Sequence, residues 1–429
     1  MKERILFLVV TPLVLGSVLI GFMTGRAIHA RESSTYWNDS VAERVRSLVG
    51  SEYVDEISDE RGRELFYAAM EAYLSALDPY CSFYDPEERR VMETDTSGQF
   101  GGIGILVKKV DDEIEITGIR RGDPAEAAGV KIGDRIVAVE DTPIAGFELS
   151  DVTPLIRGRP GDPITMDFLR GEERLSIRMV RSEIKIDSIV GVEILDRERG
   201  VGYLRVTSFQ ENTGEHAAEA LKWLKAQGAR SFIMDLRQNT GGILEKGAVA
   251  LADHFLTDGP IVQTRGRSPD SKRVYRARAE DTICPTEPLV VLVDGGSASA
   301  AEVVAGAFQD RRRAVLVGER TYGKFLVQSI HRLPDLDVAL QFTTARYYTP
   351  YGRWLQRDEA KGVRGGLVPD VVVPREREAT EYMVRELMPN QHGQDMIVSS
   401  SARPDPAKDP QLARALRLLK DYETISEAE

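Results

Sequence analysis

Two stretches constrain this chain more than any others: SFIMDLRQNTGG, Ser231 to Gly242, and PLVVLVDGGSASAAEVVAGAFQD, Pro288 to Asp310. Each carries a short apolar run toward a pair of glycines. A short apolar run without polar alternation reads as a buried strand, and apolar residues at three- and four-residue spacing read as a helix. Helical spacing follows both glycine turns, in LEKGAVALADHFL and in ASAAEVVAGAFQDRR. GVGYLRVTSF adds a strand before them, GEHAAEALKWLKAQG a helix ending at Gly228, and RAVLVG and FLVQSI two strands after. Strands alternating with helices over residues 185–375 predict a layered α/β core.

The other segments follow different periods. Within residues 31–96, VAERVRSLVGSEYV and GRELFYAAMEAYLSAL have helical spacing, and Asp78-Pro79 and Asp85-Pro86 punctuate the end. Over residues 97–184 the period becomes two. GGIGILVKKVDDEIEITGI predicts two strands around Asp111-Asp112, and DPITMDFLRGEERLSIRMVR a hairpin turning at Gly171-Glu172. This segment is expected to be a small β-barrel with an open edge. The tail, 376–429, is polar, with a helix at QLARALRLLKDYE.

Residues 1–30 hold an apolar run of about nineteen residues, Ile5 to Met23, after Lys2 and Arg4. We read it as a signal anchor, with a cleaved signal peptide as the alternative. Either puts the remaining chain outside the cytoplasmic membrane, in a periplasmic or extracytoplasmic location. A net charge of −12 without a long basic run argues against a nucleic-acid partner. The five histidines and two cysteines fall in no metal-ligand spacing, so no metal is expected. Cys81 and Cys284 could pair in an exported protein or remain packed thiols.

Ser299 falls at the strand-to-helix turn, with Glu302 three residues on. Ser-x-x-Glu is the pattern of a helix capping box. The position also suits a nucleophile, because the first N–H groups of a helix are unsatisfied and can stabilise an oxyanion. A serine nucleophile needs a base. No histidine lies near these motifs, whereas Lys324 follows Ser299 by 25 residues, after one helix and one strand. Gln328, four residues beyond Lys324, shares a face with it in either a strand or a helix. A free lysine has a pKa of about 10.4, and lowering it by about 3 units costs roughly 4 kcal/mol. Burial can supply that, and Phe325, Leu326 and Val327 are apolar neighbours. Gly318-x-x-x-x-Gly323-Lys324 also resembles the start of a phosphate loop, but Phe325 stands where such a loop requires Ser or Thr for Mg²⁺.

Taken together, SASAAE (Ser297 to Glu302), GKFLVQ (Gly323 to Gln328) and DLRQNTGG (Asp235 to Gly242) resemble the motifs of the carboxyl-terminal processing, or tail-specific, proteases. LDPYCSFYDPEE, RYYTPYGRWLQ and GLVPDVVV match as well, so the resemblance covers nearly the whole chain. GGIG at Gly101 to Gly104 with GDPAEAAGVKIGDRIVAVED resembles a PDZ domain.

The resemblance implies an α/β multidomain serine endopeptidase with a core like the ClpP/crotonase spiral. Ser299 would be the nucleophile, Lys324 the general base, Gln328 its orienting partner, and the Gly242 and Ala300 N–H groups the oxyanion hole. Ser297 would be structural. Gly101, Gly102, Ile103 and Gly104 would form the carboxylate-binding loop of the PDZ-like domain, taking accessible C-termini of polypeptide substrates. No cofactor is implied, and the sequence leaves a homo-oligomer open. Three positions depart from the family pattern: Ala301 replaces a serine, Cys81 stands where serine is frequent, and Phe325 replaces a glycine. If that glycine needs φ > 0, Phe325 is strained or the loop differs. Pro154, within the expected groove helix ELSDVTPLIRG, should shorten or displace it. The alternative function is a PDZ-bearing scaffold with an inactive core. Asp235 and Arg237 are expected to fix the Gly242 turn, and Asp335 and Asp337 to lie in a turn.

Overall fold

The computed structural model describes residues 39–110, 112–185, 187–387, 396–398 and 402–426. The apolar run Ile5–Met23 and its anchor reading lie outside them. Among the described residues no helix is long and apolar enough to cross a membrane. The chain divides into two compact units, residues 1–72 and 73–429. The first is helical, with Asp39–Glu52 and most of Asp59–Ser75.

The centre of the second unit is a six-stranded sheet. Its strands are β1 (Ile189–Asp196), β2 (Val201–Val206), β3 (Ser231–Asp235), β4 (Leu289–Val293), β5 (Val315–Gly318) and β6 (Val371–Val372), and they lie in that order. β1 is antiparallel to β2, and every later neighbour pair is parallel. The apolar runs are continuous because both faces are covered. Phe232, Met234, Val291 and Val293 join the core formed with helices α1 (Thr213–Ala226) and α2 (Ala300–Asp310), through Leu221, Leu224, Val304 and Phe308. Ile233, Val290 and Leu292 face the other way, against Leu412, Ala415 and Leu419 of α3 (Pro410–Ser426).

A second, five-stranded sheet carries the lysine side of the site. Its long strand Val338–Tyr348 pairs antiparallel with Leu326–Leu333, Ser82–Tyr84 and Pro260–Gly266. Asp335 lies in the turn before that strand, and Asp337 caps it with φ 56°.

The strands of residues 105–180 surround their own core, built on Ile103, Ile116, Val139, Val152, Ile164 and Phe168. They form an open sheet and no closed barrel. Its edges are Glu173–Val180 on one side and Ile105–Val110 on the other, and Met396–Val398 shares the inner side of Glu113–Arg120 with Arg135–Val139. The helix Leu149–Ile156 adds Val152 and Ile156 to this core. That helix runs past Pro154 for only two residues and totals eight, so it is short as expected. Met396–Val398, which comes from the tail, pairs with Gly118–Arg120.

Arg237 ties the end of β3 to α3. It is 1% exposed, donates to Asp235 at 2.6 Å and lies 2.8 Å from Asp409, while its other nitrogen reaches Gln411 at 3.1 Å. Tyr203 donates to the same Asp235. Against complete burial, Arg237 and Arg205 keep the Asp235 carboxyl below the usual range, and Asp235 and Asp409 raise Arg237 well above the usual arginine value. Removing Arg237 would take from both buried carboxylates the cation that bonds them. Arg237→Ala should therefore lose about 3–5 kcal/mol in urea unfolding, whereas Lys109→Ala, at the surface pair with Glu148, should leave the urea midpoint nearly unchanged.

Candidate active site

Adjacent parallel strands β3 and β4 end side by side, and their glycine loops meet. Side chains of both loops stitch them together. Ser297 Oγ donates to Leu236 O at 2.8 Å, and the Ala298 N–H donates to Asn239 O at 2.9 Å. Gln238 donates to Asp294 from its backbone, at 2.9 Å, and from its side chain, at 2.8 Å. Ser297 thus has the structural role expected of it. Asp235 accepts the Arg237 N–H at 3.0 Å, which shapes the start of the Gly242 loop.

The result at Ser299 is a strained turn. Its φ is 55° and ψ −116°, immediately before α2. A non-glycine residue at positive φ is costly and persists only where its surroundings impose it. The surroundings here include Gly241, at φ 105°, where an added Cβ would lie 2.7 Å from the Ser299 Cβ and 2.9 Å from Ala298 O. Next to it, Phe209 N donates to Gly241 O and Ile243 N to Phe209 O, so the bridge uses the flanking groups and not the Gly242 N–H. Ala300 is the first residue of α2, where an N–H has no partner within the helix. Gly242 and Ala300 line the same cleft as Ser299.

Glu302 joins this turn to the lysine loop. Its carboxylate accepts the Ser299 N–H at 3.0 Å, the capping-box leg legible in Ser-x-x-Glu. It also accepts the Thr321 hydroxyl at 2.5 Å and the N–H groups of Gly323 and Lys324, each at 2.8 Å. Sequence reasoning assigned Glu302 only the cap, because its other three partners come from a loop about twenty residues away. Burial pushes the Glu302 carboxyl up to about 7 against the opposing pull of these donors.

Lys324 is half-buried, and burial holds its ammonium below the usual lysine value against the attraction of Asp78 and Glu302. Its Nζ lies over the Tyr80 ring, 4.5 Å from the centroid. Tyr347 donates to the Lys324 carbonyl and lines the cleft with Ser299. Gln328 lines the cleft with Lys324, and its amide donates to Thr343 Oγ1 at 3.0 Å. Among the described residues, no hydrogen bond joins Lys324 to Ser299 or to Gln328. Tyr80 and Tyr347 were missed as site residues, although both fall in the family-like stretches LDPYCSFYDPEE and RYYTPYGRWLQ.

Phe325 is unstrained. It is absent from the positive-φ residues, and the turn uses Gly323 at φ 95°. Its ring is fully buried and lies 4.7 Å from the Tyr347 ring. Its N–H donates to the Gln356 side chain at 2.7 Å, and Trp354 Nε1 donates to its carbonyl at 3.3 Å. Lys324 leads into a strand and not a helix, so the phosphate-loop reading fails on architecture as well as composition.

The cleft has a volume of about 390 Å³ and is walled by Ile243, Leu244, Val303, Leu326, Val327 and Ile330 among others. In the smaller domain, the carbonyls of Gly101, Ile103 and Gly104 accept bonds from Gly158, Ala125 and Arg120, which fixes the GGIG loop. Gly102 pairs with Ser182 where the domain closes. Both cysteines are free and buried, with Cys284 pushed up to about 12 by burial. Among the described residues no cluster could hold a metal ion.

Ser299, at a positive-φ helix start, and Lys324 line one cleft. Comparison with known proteins gives the family. Residues 200–373 match peptidase family S41, and residues 101–180 match the PDZ domain. A carboxy-terminal-processing protease of Bartonella bacilliformis is 34% identical over 383 residues, covering 87% of this chain and 83% of that protein. The carboxy-terminal processing protease CtpA of Bacillus subtilis is 29% identical, over 86% of this chain and 78% of its own. Among solved structures, the photosystem II D1 C-terminal processing protease is 28% identical, with a TM-score of 0.42, covering 76% of this chain and 85% of that one. The chain belongs to the carboxy-terminal processing proteases of peptidase family S41 and is a serine-type peptidase carrying a PDZ domain.

Two outcomes follow from this geometry. Gly241→Ala should push the Ser299 turn out of place and lower kcat/KM by about 100-fold or more, read with a peptide substrate. The raised Glu302 pKa means that the folded protein holds this proton more tightly than the unfolded chain does. That contribution is complete below about pH 4.5 and is lost as pH rises through about 7. Relative to Glu302→Gln, wild-type unfolding free energy should fall by up to ~3 kcal/mol across that window. Parallel pH curves for the two proteins would contradict it.

Proposed function

We propose that this protein is an exported endopeptidase in which Ser299 is the nucleophile and Lys324 the general base. The observation that carries the reading is the convergence of Ser299, Lys324, Ala300 and Gly242 on one cleft. In this mechanism the neutral Lys324 amine takes the Ser299 Oγ proton as Oγ attacks the scissile carbonyl carbon. The Gly242 and Ala300 N–H groups stabilise the oxyanion. Collapse breaks the C–N bond, and the lysine ammonium returns its proton to the leaving amine. Water then cleaves the acyl-enzyme with the lysine again as base. Burial of Lys324 supports this role, since a fully charged lysine could not accept the proton. Gln328, in the same cleft, would orient the amine once substrate is seated.

The apolar cleft walls suit an apolar side chain at the cleaved residue. Gly101 to Gly104 would receive a substrate's terminal carboxylate and the neighbouring strand Ile105–Val110 its backbone. We further read the core as following the ClpP/crotonase spiral, in keeping with its in-order parallel strands. The apolar run after Lys2 and Arg4 supports export and membrane anchoring. An inert scaffold is disfavoured, because Phe325, the one feature behind it, is accommodated without strain.

Ser299→Ala and Lys324→Ala should each abolish cleavage of an unstructured polypeptide such as casein, with the circular dichroism of the wild type. Full activity in either variant sinks the assignment.

A further inference from the structure

Tyr80 lies more than two hundred residues before Lys324 in the chain, yet its ring faces the lysine ammonium at 4.5 Å from the centroid. The ring is held from several sides. The Tyr80 N–H donates to Asp78 at 2.9 Å, and its carbonyl accepts from Gln341 at 3.1 Å. The strand that follows, Ser82–Tyr84, pairs with Ala339–Gln341 in the sheet that also carries Leu326–Leu333. Its phenol meets the side chains of Tyr322 and Gln356. Gln356 also accepts the N–H of Phe325, the residue after the lysine. Tyr80 is therefore fixed to the same sheet and the same loop as the ammonium it faces.

We propose that Tyr80 is the positioning residue for the general base, its ring face receiving the ammonium that Lys324 becomes when it takes the Ser299 proton. The proposal rests on the Ser299–Lys324 reading. The charged groups acting on Lys324 are Asp78, from the turn before Tyr80, and Glu302, from α2; Tyr347, from the long strand, bonds the Lys324 carbonyl, and Tyr322, from the lysine's own loop, meets the Tyr80 phenol. A carboxylate in direct contact would favour the charged amine strongly and keep it from acting as a base. An aromatic face attracts a cation more weakly, through the negative face of its quadrupole. It can steady the transient ammonium and still release it. The proton passes from Ser299 Oγ to Lys324 Nζ, rests there over the ring, and leaves to the departing amine, so Tyr80 itself exchanges nothing.

The test separates ring electronics from packing. Full-length protein is prepared as Tyr80→Phe and with 3,4,5-trifluorophenylalanine at position 80, two rings of similar shape with different faces. The pH dependence of kcat/KM on a peptide substrate reports the pKa of the base in the free enzyme. The acid limb should move to lower pH by about half to one unit in the fluorinated protein relative to Tyr80→Phe, with equal Tm. Coincident limbs, whether or not overall activity falls, would assign Tyr80 a packing role and overturn the proposal. Lys324→Ala is assayed alongside. Activity retained there would instead remove the dyad on which the proposal stands.

Discussion

A single buried carboxylate organises the catalytic face of this protease. Glu302 stands at the third position of α2 and receives hydrogen bonds from the Ser299 N–H and from three donors in the loop that ends at Lys324. Bonds of this kind, to a charged or partly charged acceptor, contribute more than neutral ones, and removing the acceptor would strand several donors in the interior. One side chain therefore ties the Ser299 turn to the Lys324 loop. The positive φ at Ser299 and the tight contact with Gly241 belong to the same arrangement. The carboxylate holds one side of the turn and the β3 loop presses on the other.

Around that anchor the electrostatics are graded. Lys324 is buried enough to lie below the ordinary lysine value, while Asp78 and Glu302 pull the other way. Phe325, the next residue, is buried beside Tyr347 and bonded by Gln356 and Trp354, at no positive φ. The Lys324 ammonium lies over the Tyr80 ring.

Much of this was legible in the sequence. The unbroken apolar runs of β3 and β4 announced strands covered on both faces, and the glycines after them announced the loops that meet at Ser299. Ser-x-x-Glu announced the cap. Several features were not legible. The segment expected to be a small barrel with an open edge is an open sheet whose core includes Val152 and Ile156 of a short helix. Met396–Val398 joins that sheet from far along the chain, and three residues carry too little pattern to reveal a strand. Phe325 looked like a source of strain because φ cannot be read from residue identity, and the structure assigns the positive φ to Gly323.

The sequence by itself determined the alternation of strands and helices around the two glycine loops, the candidacy of Ser299 and Lys324, and the membership of the chain in its protease family. These depend on local periodicity and on short contiguous motifs, which a linear string preserves. Only the tertiary structure decided that Glu302 bonds the lysine loop, that Tyr80 faces the ammonium, and that Arg237 joins β3 to α3. Each of these joins residues distant in the chain. Such contacts follow from how sheets stack and loops converge, and that information is spread over the whole core with no trace at the positions themselves.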